Sequence, residues 1–512
     1  MNSINNQNGR VTLFAKLLIV GLVIGGGMLG MKLLTKTDYA KQTLAKTTLS
    51  SDPDTVRVSV VTWGGYVGGQ YFNRGFKASE ASEYYKKYGM KVEFILQDDV
   101  AAGREAFKAG KVDVIWATAD SFPTEAKGLS EYEPQIIMQS DWSRGGDAIV
   151  ARQGIRSIND LRGKKVSVAI GTPSNSFLLY ALKASDMTVN DITIVEKSNA
   201  VDAAADFKAG AVDAAVVWSP DDQDCVQKIS GSSILKSTKE AAHIIADVFF
   251  VKKSYLEANR EKVRNLVEGW LIGNAEVNSN TSARTQAEQI LVEGLNVDKG
   301  LASTMISNAR LTTLGDNKNF FGLTPGYNGM TAEKLYVNMT QEYSKVNLAP
   351  AGTPDYRRVF NKSVVEGLNL IGAANLAEPG ETFAPVTAAD ATAPAFSTKK
   401  LSITFPTGSS TLDENSKALI TMGFVDIAKG FSNTKIRIEG NTDNVGSEQV
   451  NRPLSQKRAQ AVANFLIKEQ GFDPNRIVVV GNGSSKPVAD ADQNSKEGRA
   501  KNRRTDFELL GN

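Results

Sequence analysis

Apolar and polar positions change rhythm several times along the chain. Residues 11–34, VTLFAKLLIVGLVIGGGMLGMKLL, form one mostly apolar run broken by Lys16 and Lys32, with fifteen uncharged residues between the two lysines. A bilayer span takes about 20 residues, a length the run reaches when both lysines snorkel to the interfaces. The rival is a cleaved signal peptide, but Asp38-Tyr39-Ala40 is a poor match to a small-residue cleavage site. The run therefore predicts an uncleaved anchor. Residues 1–10 would be a cytoplasmic tail, 11–34 a single transmembrane helix in a bacterial inner membrane, and the bulk of the chain periplasmic. Residues 35–54 read as a polar tether.

From Val56 short β runs alternate with helical stretches as far as about Ala374, which predicts an α/β domain over 55–374. Residues 375–400, NLAEPGETFAPVTAADATAPAFSTKK, lack apolar periodicity and are rich in Ala, Pro and Thr. They predict a semi-extended linker. A last unit spans 401–510, with strands expected at 401–405, 435–440, 476–481 and 504–509 and helices at about 413–429 and 455–470. Thr411-Leu-Asp-Glu414 reads as the cap of the first of these helices. Two helices on one face of a small mixed sheet make an α+β fold of order βαβαββ.

The α/β stretch repeats itself. Phe107-Lys-Ala-Gly110-Lys-Val-Asp113-Val-Ile-Trp116 matches Phe207-Lys-Ala-Gly210-Ala-Val-Asp213-Ala-Ala-Val-Val-Trp218. Each copy ends a helix at a glycine, enters a buried strand and leaves it at a polar loop. Two equivalent edges imply two α/β lobes. A further unit runs from Lys164–Ile170 through Gly171-Thr-Pro-Ser-Asn-Ser176 into the apolar FLLYALKAS. It reads as a strand, a tight turn, and a helix whose start presents amides and hydroxyls.

Composition narrows the chemistry. A formal net charge of +3 over 512 residues argues against nucleic acid as a partner. Cys225 is the only cysteine and His243 the only histidine, which excludes a disulfide framework and any metal site rich in either residue. No nucleophile–base motif is present. The chain reads as a binding protein without cofactor or metal, not as an enzyme, and His243 as a core or hinge residue.

Ser157-Ile-Asn-Asp-Leu-Arg-Gly-Lys-Lys165 and AGAVDAAVVWSP, together with Val61-Thr-Trp-Gly-Gly-Tyr66 and Ser143-Arg-Gly-Gly-Asp147, resemble the periplasmic solute-binding proteins of sulfonate, taurine and nitrate uptake, over about residues 55–370. The resemblance implies two lobes closing on a small polar solute, with an ABC permease or another envelope protein as partner. Ligands of open α/β sheets sit beyond the carboxyl ends of strands. That rule nominates Trp63, Gly64, Gly65, Asp120, Thr172, Ser174, Asn175, Ser176 and Trp218. The amides and hydroxyls at 172–176 suit an anionic head group; Asp120, Asp221 and Asp222 point instead to an amine or zwitterion. The plain alternative makes these aspartates helix caps and the tryptophans lobe core.

In the last unit, Ile438-Glu-Gly-Asn-Thr-Asp443-Asn-Val-Gly446 precedes Asn451-Arg-Pro-Leu-Ser455-Gln-Lys-Arg458-Ala459, with Gly498-Arg-Ala-Lys-Asn-Arg-Arg504 further on. This is similar to the OmpA-like peptidoglycan-binding domain over about 110 residues. Asn441 stands where that family usually has histidine. Diaminopimelate in the wall stem peptide carries an ammonium and carboxylates, so a site for it needs a fixed carboxylate and a fixed guanidinium. The family's two ligand-contacting residues map onto Asp443 and Arg458. Thr442, Asn451 and Leu454 are expected to shape the pocket, and Arg503 and Arg504 to brace the loop.

These readings give an anchored envelope protein that holds peptidoglycan and presents a solute receptor. The rival is a structural tether between membrane and wall, whose two-lobed fold contacts a protein.

Overall fold

The computed structural model describes residues 52, 54–406, 408–488 and 491–511. The expected tail and membrane anchor lie outside the described residues, as does most of the tether. Among the described residues no helix is long and apolar enough to cross a membrane.

The first eleven strands are β1 (Thr55–Val60), β2 (Lys91–Leu96), β3 (Val114–Thr118), β4 (Pro134–Ser143), β5 (Asp147–Ala151), β6 (Lys165–Ala169), β7 (Thr193–Lys197), β8 (Ala214–Trp218), β9 (Ser233–Ser237), β10 (Ala246–Lys252) and β11 (Ala309–Leu311). They form two sheets, ordered β11-β4-β10-β3-β1-β2 and β7-β6-β8-β5-β9. In each sheet three parallel strands, β2-β1-β3 or β7-β6-β8, continue into antiparallel ones. The two lobes are therefore built alike.

The repeated sequence sets this likeness. The helices Val100–Lys108 and Ala200–Lys208 are capped by Asp99 and Asn199, whose side chains accept from the amides of Ala102 and Asp202. Gly110 and Gly210 then turn at φ 68° and 81°, a left-handed conformation that glycine adopts without a side-chain clash. Three residues on, Asp113 accepts from Arg57 N at 2.9 Å and Asp213 from Lys165 N at 2.8 Å. Each aspartate thus ties the start of β3 or β8 to the start of its parallel neighbour, β1 or β6. The strands that follow are apolar along almost their whole length because both of their faces are buried.

The chain passes between the lobes twice, at Arg144-Gly145-Gly146 between β4 and β5 and at Thr238–Ile245 between β9 and β10. Thr238 Oγ1 accepts from Gly145 N at 2.8 Å and lies 2.9 Å from Ser143 Oγ, so the two crossings hold each other.

The C-terminal sheet contains β12 (Ala395–Leu401), β13 (Ile436–Asn441), β14 (Ile477–Gly483) and β15 (Thr505–Leu510), in the order β12-β15-β13-β14. Its first strand ends where one was expected to begin, because pairing with β15 draws in the residues before Leu401. Its first helix is capped by Asp413, which accepts from Ser416 N at 2.7 Å, rather than by Thr411. That helix continues through a π turn at Thr421–Val425 to Gly430. The second helix spans Glu448–Lys468, starting seven residues before the expected position, and a short helix at Lys496–Asn502 was not anticipated.

Residues 375–400 are no free linker in this structure. Glu378 pairs with Arg144 at 2.7 Å, Phe383 lies against the Arg476 guanidinium, and Asp390 pairs with Lys435 at 2.9 Å. The C-terminal domain rests on both lobes and on the second crossing. His243 N donates to Gly430 O at 3.1 Å, Asn433 Nδ2 to Lys239 O at 3.2 Å, Asn338 Nδ2 to Asp426 Oδ2 at 3.1 Å, and Tyr180 OH to Asp426 O.

Candidate functional site

The space between the lobes is a cavity of about 70 Å³. Trp63, Tyr66, Trp116 and Asp247 line it from the first lobe, Asp147 and Trp218 from the second. Each is delivered by a strand or by the turn after one. Trp63 follows β1, Trp116 lies in β3, Trp218 ends β8, and Asp147 and Asp247 stand at the starts of β5 and β10, which run antiparallel to β8 and β3. Trp63 Nε1 donates to Asp141 Oδ1 at 3.1 Å and Tyr66 OH to Asp247 Oδ1 at 2.7 Å. A Cβ at Gly146 would overlap the Trp63 ring, and one at Gly65 would overlap the Asp141 carboxylate.

Four buried carboxyls, Asp120, Asp141, Asp147 and Asp247, gather here. Burial pushes Asp120, Asp141 and Asp147 up to about 7. Burial first, and the neighbouring Asp141 next, raise Asp247 well above the usual carboxylate range. Among the described residues none of the four belongs to a salt bridge.

Of the solute residues expected from sequence, the structure brings Trp63 and Trp218 to the cavity wall. Gly64 is instead a packing position, since a Cβ there would overlap the Met305 carbonyl. Asp120 is wholly buried and accepts from Ala246 N at 3.2 Å. The expected anion loop is largely used up by its own fold. Thr172 Oγ1 donates to Ala169 O at 2.8 Å, Asn175 Oδ1 accepts from Gly171 N at 3.2 Å, and Ser176 Oγ lies 2.7 Å from Tyr343 OH. Ser174 is buried with its hydroxyl unpartnered, and none of Thr172, Ser174 and Asn175 lines the cavity. Asp221 pairs with Lys208 at 3.5 Å, and Asp222 sits buried in the same helix. Sequence reasoning missed Asp141, Asp147 and Asp247 as members of one cluster. The available signal was an aspartate inside an apolar strand run, as in QIIMQSDWS and IIADVFF.

The C-terminal domain has a separate cavity of about 380 Å³, lined by Phe405, Asn441, Arg458, Lys501, Arg503 and Arg504 among others. Arg458 projects from the helix Glu448–Lys468, donates to Ser409 O at 3.1 Å and lies over the Phe405 ring. Asp443 sits on the loop after β13 and pairs with Arg503 at 2.6 Å. Asn451 Nδ2 holds that loop through Val445 O at 3.1 Å, Thr442 is buried and donates its amide to Gly483 O, and Leu454 lies on the same helix as Arg458. Arg503 braces the loop as expected from sequence, but both Arg503 and Arg504 also line the cavity. Asn441 is buried, donating to Asp506 Oδ2 at 3.1 Å and accepting from Asn482 at 3.1 Å, which makes it a strand-end brace.

A third cavity, of about 520 Å³, lies where the two domains meet, with Trp142, His243, Glu378, Phe383, Ser432 and Arg476 on its wall. His243 is half-buried between Arg144, 3.3 Å from Nε2, and Ser432 Oγ, 2.7 Å from Nδ1. Burial and the Arg144 charge hold the imidazole well below its usual pKa, so it is neutral.

Comparison with known proteins covers the chain in two pieces. Residues 404–503 match the OmpA family and residues 74–280 the family described as NMT1/THI5 like. Over 110 residues the chain is 40% identical to outer membrane porin F of Pseudomonas aeruginosa, a match covering 22% of this chain and 31% of the porin. It is 43% identical over 82 residues to the peptidoglycan-binding protein ArfA of Mycobacterium tuberculosis, covering 16% and 24% of the two chains. The chain thus spans about a third or less of the length of these curated relatives. Among solved structures, the periplasmic aliphatic sulphonate binding protein SsuA of Escherichia coli aligns with 60% of this chain and 98% of its own, at 17% identity and a TM-score of 0.47. The chain joins an NMT1/THI5-like domain to a C-terminal OmpA domain.

Proposed function

We propose that this is a cell-envelope protein that holds peptidoglycan non-covalently through its C-terminal domain and presents a two-lobed receptor for a small polar solute. The observation that carries the wall-binding half is the placement of Arg458 and Arg503 on one cavity wall, with Asp443 held beside them by Arg503. A guanidinium on the cavity wall and a carboxylate beside it match the carboxylate and ammonium of diaminopimelate. The receptor half is supported by two lobes of matching topology around an aromatic cavity. Residues 11–34 supply an inner-membrane anchor in this reading, and an ABC permease or another envelope protein receives the solute. Sedimentation of the purified chain with diaminopimelate-containing sacculi tests the first half, and ligand-induced thermal shift the second.

A structural tether is the second reading. It is favoured by the contact of the C-terminal domain with the inter-lobe crossing at His243 and Lys239, which suits a fold held in one posture.

A further inference from the structure

The cavity between the lobes has a chemistry that differs from an anion site. Its wall contains four aromatic side chains, Trp63, Trp116, Trp218 and Tyr66. Its polar lining includes the carboxyl groups of Asp147 and Asp247. Asp147 is 6% exposed; one oxygen accepts from Ser143 Oγ at 2.9 Å, and the other, Oδ1, meets no donor in good hydrogen-bond geometry, although the Trp218 side chain is close enough to favour the ionised carboxyl. A buried carboxylate oxygen left without a partner costs free energy unless something supplies a positive charge or a donor. Asp120 and Asp141 are buried close enough to this pair to interact with it, and a cation bound beside the cluster favours the ionised form of a carboxyl that burial otherwise holds protonated. Indole faces attract cations through their quadrupoles, most strongly where water is excluded. The helix Pro173–Ala184 presents proline at its first position, which removes one of the amides an anion would use.

We propose that the inter-lobe cavity binds an alkylated ammonium head group, with Trp63, Trp116 and Trp218 around the cation and Asp147 as its counter-ion. This rests on reading the two-lobed domain as a receptor and specifies the class of its solute. The volume of about 70 Å³ is small beside the ~300–1,000 Å³ of drug-sized ligand pockets, so the cavity receives a head group rather than an extended molecule. An ammonium bearing methyl groups uses both halves of the wall: the methyls meet the rings, and the charge lies beside the Asp147 carboxyl.

The test is titration of the full chain in detergent, followed by tryptophan fluorescence and calorimetry. Tetramethylammonium chloride is the cation probe, sodium methanesulfonate the anion, and neopentyl alcohol the uncharged shape control. The expected result is saturable binding of tetramethylammonium alone, weakened about tenfold or more by Asp147→Asn and by Trp218→Leu. Trp218→Leu carries the test if Asp147→Asn does not fold. Binding of methanesulfonate without tetramethylammonium would overturn the cation assignment and leave the receptor standing. Equal binding of tetramethylammonium by both variants and the parent would place the cation elsewhere and overturn the proposal. If no probe binds and the purified protein carries no small molecule, the proposal and the receptor reading fail together.

Discussion

Asp443 accepts a hydrogen bond from Arg503 at 2.6 Å, while the nearby Arg458 donates to Ser409 O at 3.1 Å. The carboxylate and the guanidinium proposed for diaminopimelate are thus held apart by separate partners. An incoming zwitterion can place its ammonium at Asp443 and its carboxylate at Arg458 without first breaking a bond between the two.

Arg503→Ala should therefore weaken wall binding less than loss of Asp443 does. The pair is partly exposed, with Arg503 47% and Asp443 14% accessible, so its loss should cost at most about 1 kcal/mol of stability. Urea melts alongside sacculus sedimentation check both numbers. A loss of binding as large as that of Asp443→Asn would make Arg503 a ligand contact in its own right.

The buried carboxyls give the protein a pH signature. Asp120, Asp141 and Asp147 titrate near 7 when folded, against about 3.9 unfolded. Between those values the folded state binds more protons, so their contribution to stability is complete below about pH 4 and is lost as pH rises through 7. His243 acts in the opposite sense: it is neutral when folded and withdraws stability as pH falls below about 6.5. Three carboxyls outweigh one imidazole, so the melting temperature of the unliganded protein should fall between pH 6 and 8. Asp147→Asn should make that fall shallower, each pKa unit removed being worth about 1.4 kcal/mol. A melting temperature that rises over this range would show the cluster to be ionised.

Gly146 sits under Trp63 at the first crossing, and a Cβ there would overlap the indole. Gly146→Ala should displace Trp63 from the cavity wall, shift tryptophan emission to longer wavelength, and cost about 1–3 kcal/mol by overpacking. Emission spectra and thermal melts decide it; an unchanged spectrum would mean the crossing absorbs the methyl without moving Trp63.

The docking of the two domains is open to the same kind of probe. A Cβ at Gly430 would lie 2.6 Å from Tyr180 OH, where the C-terminal domain meets the second lobe. Gly430→Ala should loosen that contact and split thermal unfolding into two transitions, read by calorimetry. A single transition at the parent temperature would show that the domains do not depend on this contact.

The two-lobed plan was legible because Gly110 and Asp113, with Gly210 and Asp213, do the same backbone work 100 residues apart. What escaped was set by partners distant in sequence. β12 forms at Ala395–Leu401 because β15 pairs with it, and nothing in AFSTKKL alone distinguishes it from linker. The helix from Glu448 was expected to begin only at about Ser455. Here Glu448, accepting from Ser484 N at 3.2 Å, anchors an earlier turn. In the cleft Trp116, inside β3, was not singled out, whereas Trp63 and Trp218 could be placed by strand ends. The acidic cluster could not, because its four members come from residues 120, 141, 147 and 247 and meet only once the lobes assemble.

The central claim, that the C-terminal domain holds peptidoglycan through Asp443 and Arg458, is tested most directly by sedimenting the full chain with diaminopimelate-containing sacculi. The parent should pellet. Asp443→Asn and Arg458→Ala should each lose about 10- to 150-fold in affinity, the equivalent of a charge-assisted hydrogen bond of about 1.5–3 kcal/mol. Both variants should keep the parent's circular dichroism. Asn441→His should pellet like the parent. If Asp443→Asn and Arg458→Ala pellet as fully as the parent at every sacculus concentration, these two residues do not hold the wall.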